Sequence, residues 1–147
     1  MAWFEDLAPC TYFGTTGLVA VGWLERGHTF TTGEVPDAVL ERLVLFRQHP
    51  FPVLVMGSHS CTWCELGVEK PGRMRKRSRF DFGNHGADNL FIPGPDGRDF
   101  IAPELILHVI IAHQYAPPSE FLDAVMHGPD PGSSDFLARL ERHAPTR

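Results

Sequence analysis

The sequence has few cysteines, a small net charge and no long apolar run. Each of these features argues against a class of protein. With only three cysteines in 147 residues, a Cys-x-x-Cys pair indicates metal or redox chemistry more than a structural disulfide. A net charge of −5 argues against nucleic-acid binding by the whole surface. No apolar run approaches the roughly 18 residues of a membrane span, so we expect no membrane partner.

The first residues also lack the features of a secretory signal. The acidic residues Glu5 and Asp6 stand where a signal peptide carries basic ones, and no long apolar core follows them. We therefore expect a cytoplasmic protein with reduced thiols. Cys10, the isolated cysteine, is expected to be a small buried apolar residue.

Turn-forming residues are abundant instead. The chain contains 13 prolines and 14 glycines, which predict short secondary-structure elements joined by ordered loops. Its length and its apolar fraction of 43% suit one domain with a real core. Aromatic residues in 1–15, such as Trp3 and Tyr12, predict an N-terminal arm packed on that core.

Hydrophobic patterning predicts a single small α+β domain with a short, partly antiparallel sheet and three to four helices. The predicted strands are 18–24, 52–56, 90–93 and 99–102, the last two joined as a hairpin. The predicted helices are 36–48, 103–114, 119–126 and one that begins at Ser133 or Ser134.

Prolines and serines set several of these boundaries. Pro93 restricts the first hairpin strand to a sheet edge or a short length. Pro103 is expected to open the late apolar helix, and Ser119 to cap the next one. The domain is predicted to span 1–128 with a basic loop inserted at 67–88, followed by a linker and a C-terminal helix in 129–147.

Two pairs of metal-binding residues are the strongest functional signal. Cys61 and Cys64 place two sulfurs on one side of a tight turn, as two corners of a tetrahedron require. His108 and His113 lie on the late apolar helix and supply two imidazoles. The order of turn, loop, hairpin and helix resembles a zinc finger, so we predict one Zn²⁺ ion bound by all four residues.

The spacing of the two histidines sets a condition on that site. Positions five apart on a regular helix lie about 140° apart around its axis. His108 and His113 can therefore reach one ion only where the last turn unwinds or tightens, and Pro117-Pro118 just beyond favours such a distortion. His59 is the reserve ligand, either in place of one of these histidines or as a donor to a thiolate.

A redox function is the main competing interpretation of Cys61 and Cys64. A strand leading into Cys-x-x-Cys is typical of thioredoxin-like enzymes, in which a long helix after the first cysteine lowers the thiol pKa. Gly67 and Pro71 interrupt such a helix here, and no βαβ pattern surrounds the motif.

A metal-dependent hydrolase is an alternative in which only three side chains bind the ion. Water would take the fourth position and become acidic enough to attack a substrate. Glu65 or Glu104 would then be the candidate base.

A concentrated group of basic side chains precedes the hairpin. In an acidic protein such a group suits the docking of phosphate groups, and the adjacent Phe80 and Phe82 suit stacking on bases. A solvated loop with acidic neighbours explains the same residues without a ligand. The group consists of Lys70, Arg73, Arg75, Lys76, Arg77 and Arg79.

Three segments of the chain resemble a family of small uncharacterised bacterial proteins, a domain of unknown function. They are Phe4-Glu5-Asp6-Leu7-x-Pro9-x-x-Tyr12, Val21-Gly22-Trp23-Leu24, and the stretch from Ala102-Pro103-Glu104-Leu105 through His108, His113 and Pro117-Pro118 to Phe121. The resemblance runs to about Val125 and implies no known activity. It implies that His59, Cys61, Cys64, His108 and His113 act as one group.

These patterns favour a zinc-stabilised cytosolic binding or adaptor protein over an enzyme, with a structural metal and an unidentified protein partner. The hydrolase, a nucleic-acid-binding module and a thiol redox protein remain the alternatives.

Overall fold

A mixed three-stranded sheet forms the centre of the fold. β1 (Leu18–Ala20) runs parallel to β5 (Asp99–Pro103), and β5 pairs antiparallel with β4 (Asn89–Ile92). Every residue of β4 and β5 is buried, so both faces of this pair are covered. The computed structural model describes residues 3–13, 17–52, 59–65 and 78–143.

Five α-helices accompany this sheet in the described residues. They are α1 (Asp37–Arg47), α2 (Thr62–Glu65), α3 (Ile106–His113), α4 (Ser119–His127) and α5 (Ser134–Glu141). Both α1 and α4 pack against β4. The predicted α+β class and the partly antiparallel sheet are confirmed, with one helix more than expected, because α2 adds a short turn of helix at the cysteines. None of the helices in the described part of the chain combines the length and the apolar character that crossing a bilayer requires.

A second sheet has two strands, one of which lies in a region predicted as loop. β2 (His59–Ser60) pairs antiparallel with β3 (His85–Gly86), which falls within the predicted insertion at 67–88. A 3-10 turn at Ser78–Phe80 also lies there, and Phe80 is buried in the core. The strand predicted at 52–56 lies outside the described residues, apart from Pro52.

The predicted hairpin is present as β4 and β5. Asp96 and Gly97 in its turn have positive φ values of 57° and 75°, a conformation that glycine and aspartate tolerate better than most residues. Pro93 follows β4 directly, and β4 is the edge strand of the sheet, where a residue without an N–H group is tolerated.

The first predicted strand is shorter than expected. β1 ends at Ala20, because Gly22 takes a positive φ of 79° that turns the chain out of the extended conformation. Trp23 nevertheless stays on the sheet, where its Nε1 donates a 3.0 Å hydrogen bond to the carbonyl of Ile101. The prediction of a strand through Leu24 is therefore wrong at its C-terminal end.

The start of the late apolar helix is also displaced from its prediction. Pro103 is the last residue of β5 and is paired with Asn89, so α3 begins only at Ile106. A proline lacks an N–H group, and it therefore suits the end of a strand as well as the first turn of a helix. The helix predicted at 36–48 is confirmed as α1.

Serines lie at the predicted starts of the last two helices, and Ser119 is also the predicted cap of the first of these. Ser119 is the first residue of α4, since Pro118 occupies the N-cap position, so that expectation is wrong. Ser133 is the N-cap of α5, and its hydroxyl accepts a 3.2 Å hydrogen bond from the amide of Phe136. The C-terminal helix therefore begins where its capping residue predicts.

Aromatic rings build the core and anchor both ends of the described chain. Phe4 and Tyr12 pack on Trp23, with ring centroids 5.6 and 5.2 Å away, which confirms the predicted N-terminal arm. At the other end, the fully buried Phe136 packs against Phe46 and Phe91. Helix α5 thus contributes to the same hydrophobic core as the sheet.

Candidate metal centre

The cysteine turn is held by the small sheet and by its own backbone. Cys61 follows β2 directly, and its amide donates a 2.9 Å hydrogen bond to the carbonyl of Asn84. Helix α2 begins at the next residue and returns Cys64 to the side of Cys61 one turn later. The amides of Trp63 and Cys64 donate to the Cys61 sulfur, so both thiols point to one side of the turn.

The last turn of α3 is wider than a regular helical turn, and this places His113. Gln114 takes the left-handed conformation with a φ of 59°, and the amides of Gln114 and Tyr115 both donate to the carbonyl of Val109. A regular α-helix joins each amide to the carbonyl four residues earlier, so these bonds span a larger ring. Each residue of the wide turn rotates the chain less around the helix axis than a residue of a regular α-helix does. This smaller rotation brings His113 towards the face of the helix that carries His108. The distortion that the site requires is therefore present.

Sulfur and nitrogen atoms from the two segments lie close together. Cys64 Sγ is 3.1 Å from His108 Nε2 and 3.6 Å from His113 Nε2. Cys61 Sγ is 3.2 Å from His113 Nε2. One ligand atom from each of the four residues falls within 4.8 Å of the other three. The structure thus brings together all four residues predicted to bind the metal.

These separations suit a single tetrahedral ion. With metal–sulfur bonds of about 2.3 Å and metal–nitrogen bonds of about 2.0 Å, neighbouring sulfur and nitrogen ligands lie about 3.5 Å apart. The observed distances of 3.1 to 3.6 Å are close to that value. Cys61 and His108 are buried, whereas Cys64 and His113 are partly exposed, so one side of the group lies nearer to solvent. The donor set fits a Cys2His2 metal site.

Aromatic rings line the partly exposed side of this group. The ring centroid of Trp63 lies 5.7 Å from that of His113 and 5.2 Å from that of Phe30. Phe30 also packs on Tyr115, whose ring centroid is 6.0 Å away. An apolar shell of this kind limits the access of water to a metal site.

A carboxylate that sequence reasoning missed lies behind His108. The two oxygens of Asp81 are 3.2 and 3.1 Å from His108 Nδ1, and both side chains are almost fully buried. The sequence presents Asp81 only as an acidic neighbour of the basic loop. The signal that could have identified it is its place directly after Phe80, since a large apolar neighbour draws a segment towards the core.

His59, the predicted reserve ligand, lies outside the group of four. Its ring packs on Trp23 and Tyr12, with centroids 5.6 and 6.1 Å away. It is 2% exposed, and this burial lowers its pKa and so favours the neutral imidazole. Neither of its nitrogens finds a hydrogen-bond partner in the described ranges. His59 belongs to the aromatic part of the core.

Glu104, one of the two candidate bases, is engaged in structural contacts. One of its oxygens accepts hydrogen bonds from the amides of Ala87 and Asp88, at 2.8 and 3.1 Å. The other accepts from Nε of Arg47 at 3.1 Å. The side chain of Glu65, the other candidate base, lies outside the part of the chain that the structure describes.

Most of the predicted anion-binding group also lies outside the described residues. Those positions are Lys70, Arg73, Arg75, Lys76 and Arg77. Arg79 is described, and its guanidinium lies 3.7 Å from a carboxylate oxygen of Glu41 and 4.5 Å from the ring centre of Phe80. These contacts direct Arg79 towards α1. The nucleic-acid interface stays a prediction.

Comparison with known proteins identifies a family. No curated protein and no solved structure matches the chain significantly. A family model matches residues 2–126, a range that contains Asp81 and the whole Cys2His2 group and that ends where the resemblance in the sequence ends. The chain therefore belongs to the family described as a domain of unknown function (DUF7919).

Proposed function

We propose that this protein is a zinc-stabilised binding or adaptor protein of the cytosol, in which the metal is structural. Cys61, Cys64, His108 and His113 hold the ion, which fastens the end of α3 to the cysteine turn. The observation that carries the proposal is the meeting of two sulfurs and two imidazole nitrogens within 4.8 Å. The paired residues are 44 to 52 positions apart, and a cross-link that closes so long a loop removes much conformational freedom from the unfolded chain.

Zinc suits this donor set. Two thiolates and two imidazoles in a tetrahedral arrangement are typical of structural zinc sites. The three cysteines are free thiols, and free thiols persist in the reducing environment of the cytosol.

A hydrolytic role is less well supported by the same residues. A catalytic zinc ion keeps one coordination position for water, whereas four protein ligands fill a tetrahedron. Glu104 is bonded to Arg47 and to two backbone amides, so its carboxylate is not free to take a proton from water. The four-residue donor set and the engaged carboxylate both favour a structural ion.

A thiol redox role is also less well supported. Cys61 is 2% exposed, so a disulfide substrate has poor access to its sulfur. Burial raises the pKa of the Cys61 thiol to about 11, whereas redox-active cysteines have a lowered pKa. Helix α2 spans only Thr62–Glu65, which is far shorter than the helix that follows the first cysteine in thioredoxin-like enzymes.

If the metal is structural, the function depends on the protein surfaces that the metal stabilises. Phe82, next to Asp81 in the chain, is 47% exposed, and the guanidinium of Arg47 lies 4.0 Å from its ring centre. Aromatic and arginine side chains are enriched at the centres of protein–protein interfaces. The exposed ring of Phe82 beside this arginine supports a protein partner.

Metal analysis of protein purified without added metal tests the proposal. We expect about one zinc ion per chain and a lower melting temperature after zinc is removed with a strong chelator. Returning zinc should restore the melting temperature, whereas magnesium should not, because it prefers oxygen ligands. Protein that is isolated folded without bound transition metal, and whose melting temperature zinc does not change, would overturn the proposal.

A further inference from the structure

The two ring nitrogens of His108 face different partners. Nδ1 lies 3.1 and 3.2 Å from the oxygens of Asp81, and Nε2 lies 3.1 Å from Cys64 Sγ. An ionised carboxylate can only accept hydrogen bonds, so this contact requires a proton on Nδ1. A neutral imidazole protonated on Nδ1 carries its lone pair on Nε2, the nitrogen that lies next to the cysteine sulfur.

We propose that Asp81 is a positioning residue of the metal centre. Its carboxylate holds His108 in the tautomer and the orientation that present Nε2 to the ion. This inference rests on the proposed function and extends it, because it adds a residue that does not touch the metal and lies outside the predicted ligand set.

The chain around Asp81 fixes the carboxylate independently of any ion. The amide of Gly83 donates a 2.9 Å hydrogen bond to Asp81 Oδ1. On one side Phe80 is buried in the core, and on the other Phe82 packs against the guanidinium of Arg47. Because Phe80 is anchored in the core and the Gly83 amide holds one oxygen of Asp81, the carboxylate directs the imidazole rather than following it.

The contact also strengthens His108 as a ligand. A carboxylate that accepts the Nδ1 proton increases the electron density that Nε2 can donate to a metal ion. The side chains of His108 and Asp81 are 2% and 5% exposed, so solvent water has little access to replace the carboxylate. Removing a partner of this kind typically lowers metal affinity about 10- to 100-fold.

Asp81→Asn tests the proposal, because it keeps the size of the side chain and removes its charge. Asp88→Asn is a matched control, the same acid-to-amide change at an exposed position a few residues along the same segment. Zinc dissociation constants of the wild type and both variants are measured by competition with a chromophoric chelator. We expect binding about 10- to 100-fold weaker for Asp81→Asn, and a change of less than about twofold for Asp88→Asn.

The outcomes separate the two proposals. Equal zinc affinity in the wild type and in Asp81→Asn would overturn the role of Asp81 and leave the structural zinc site standing. A wild type that binds no zinc would overturn both. A similar loss of affinity in both variants would assign the effect to general charge and would also remove the role of Asp81.

A second measurement uses the wild type alone and so does not depend on the folding of a variant. Nitrogen-15 NMR of the zinc-bound protein distinguishes a protonated ring nitrogen from a metal-bound one. We expect His108 to carry a proton on Nδ1 and zinc on Nε2. Zinc on Nδ1, or an Nδ1 without a proton, would show that Asp81 does not set the tautomer.

Discussion

Tyr115 donates a 2.7 Å hydrogen bond to Asp6, which joins the residue after the wide turn of α3 to the N-terminal arm. The other oxygen of Asp6 accepts a 3.0 Å hydrogen bond from the amide of Gly22. Burial raises the pKa of Asp6 in spite of these two bonds, and burial also raises the pKa of Tyr115. The arm is therefore tied to the segment that carries His113 through a carboxyl group that burial makes harder to ionise.

The raised pKa of Asp6 predicts a pH dependence of known sign. A carboxyl group whose folded pKa exceeds its unfolded pKa stabilises the fold most when protonated, and that contribution is lost as pH rises through the folded pKa. Asp6→Asn cannot ionise, so its unfolding free energy relative to the wild type should increase between about pH 4 and about pH 7. Urea denaturation of both proteins at the two pH values measures the difference, in which the pH dependence of metal binding cancels. A difference that stays constant or falls would contradict the prediction.

Cys64 contributes the sulfur that lies close to both imidazoles, so its loss should empty the site. Cys64→Ala is expected to reduce the zinc content from about one ion per chain to near zero. Its melting temperature should equal or fall below that of the chelated wild type. Cys10→Ala is the control, because Cys10 is a buried cysteine that does not belong to the Cys2His2 group, so this variant should keep its zinc. Metal content by mass spectrometry and thermal denaturation measure both effects, and full zinc content in Cys64→Ala would contradict the site.

His59 should be dispensable for metal binding. Its ring lies among Trp23 and Tyr12, and its two nitrogens are unpaired in the part of the chain that the structure describes. A buried polar group without a partner costs about 1–3 kcal/mol, so His59→Phe should equal or exceed the wild type in unfolding free energy. Zinc content and denaturant unfolding check both parts. Loss of zinc from His59→Phe would instead show that this histidine is a ligand.

Phe136 should contribute strongly to stability although it lies after residue 126, where the family match ends. It is fully buried against Phe46 and Phe91, so Phe136→Ala should cost about 3–5 kcal/mol of unfolding free energy. Leu137 is the next residue and is 50% exposed, so Leu137→Ala should change stability by less than about 0.5 kcal/mol. Denaturant unfolding of the two variants gives the comparison. A loss below about 1 kcal/mol for Phe136→Ala would show that α5 packs only loosely on the core.

The parts of the fold that local signals determine could be predicted from the sequence. The turn residues Gly94-Pro95-Asp96-Gly97 identify the hairpin, and the apolar spacing after Pro36 identifies α1. The ligand quartet was predictable because Cys-x-x-Cys and two histidines on one helix are matched to the geometry of a tetrahedral ion. Each of these signals lies within a few residues and does not depend on how distant segments pack.

The remaining features depend on contacts between distant segments. Asp81 acquires its role only because the 3-10 turn before it packs beside α3, and no local pattern records that neighbour. Gln114 takes the left-handed conformation at the end of α3, a position that a glycine usually occupies. The sequence therefore lacks the usual glycine signal for this helix end. His59 is close to the cysteines in the sequence. In the structure it pairs with Gly86 as part of β2, and its ring packs on Trp23 instead of joining the four metal-binding side chains.

Cys64 and Asp81 are separated in the chain but meet at the candidate metal centre. Both residues contact the same imidazole of His108, so the two ends of the intervening stretch are separated by little more than one ring. The entropy of closing a loop over such a base grows slowly, by about 0.6 kcal/mol for each doubling of its length. The free energy needed to bring Cys64 and Asp81 to one ring therefore changes little with the number of residues that join them, so the two contacts with His108 tolerate a change in that number.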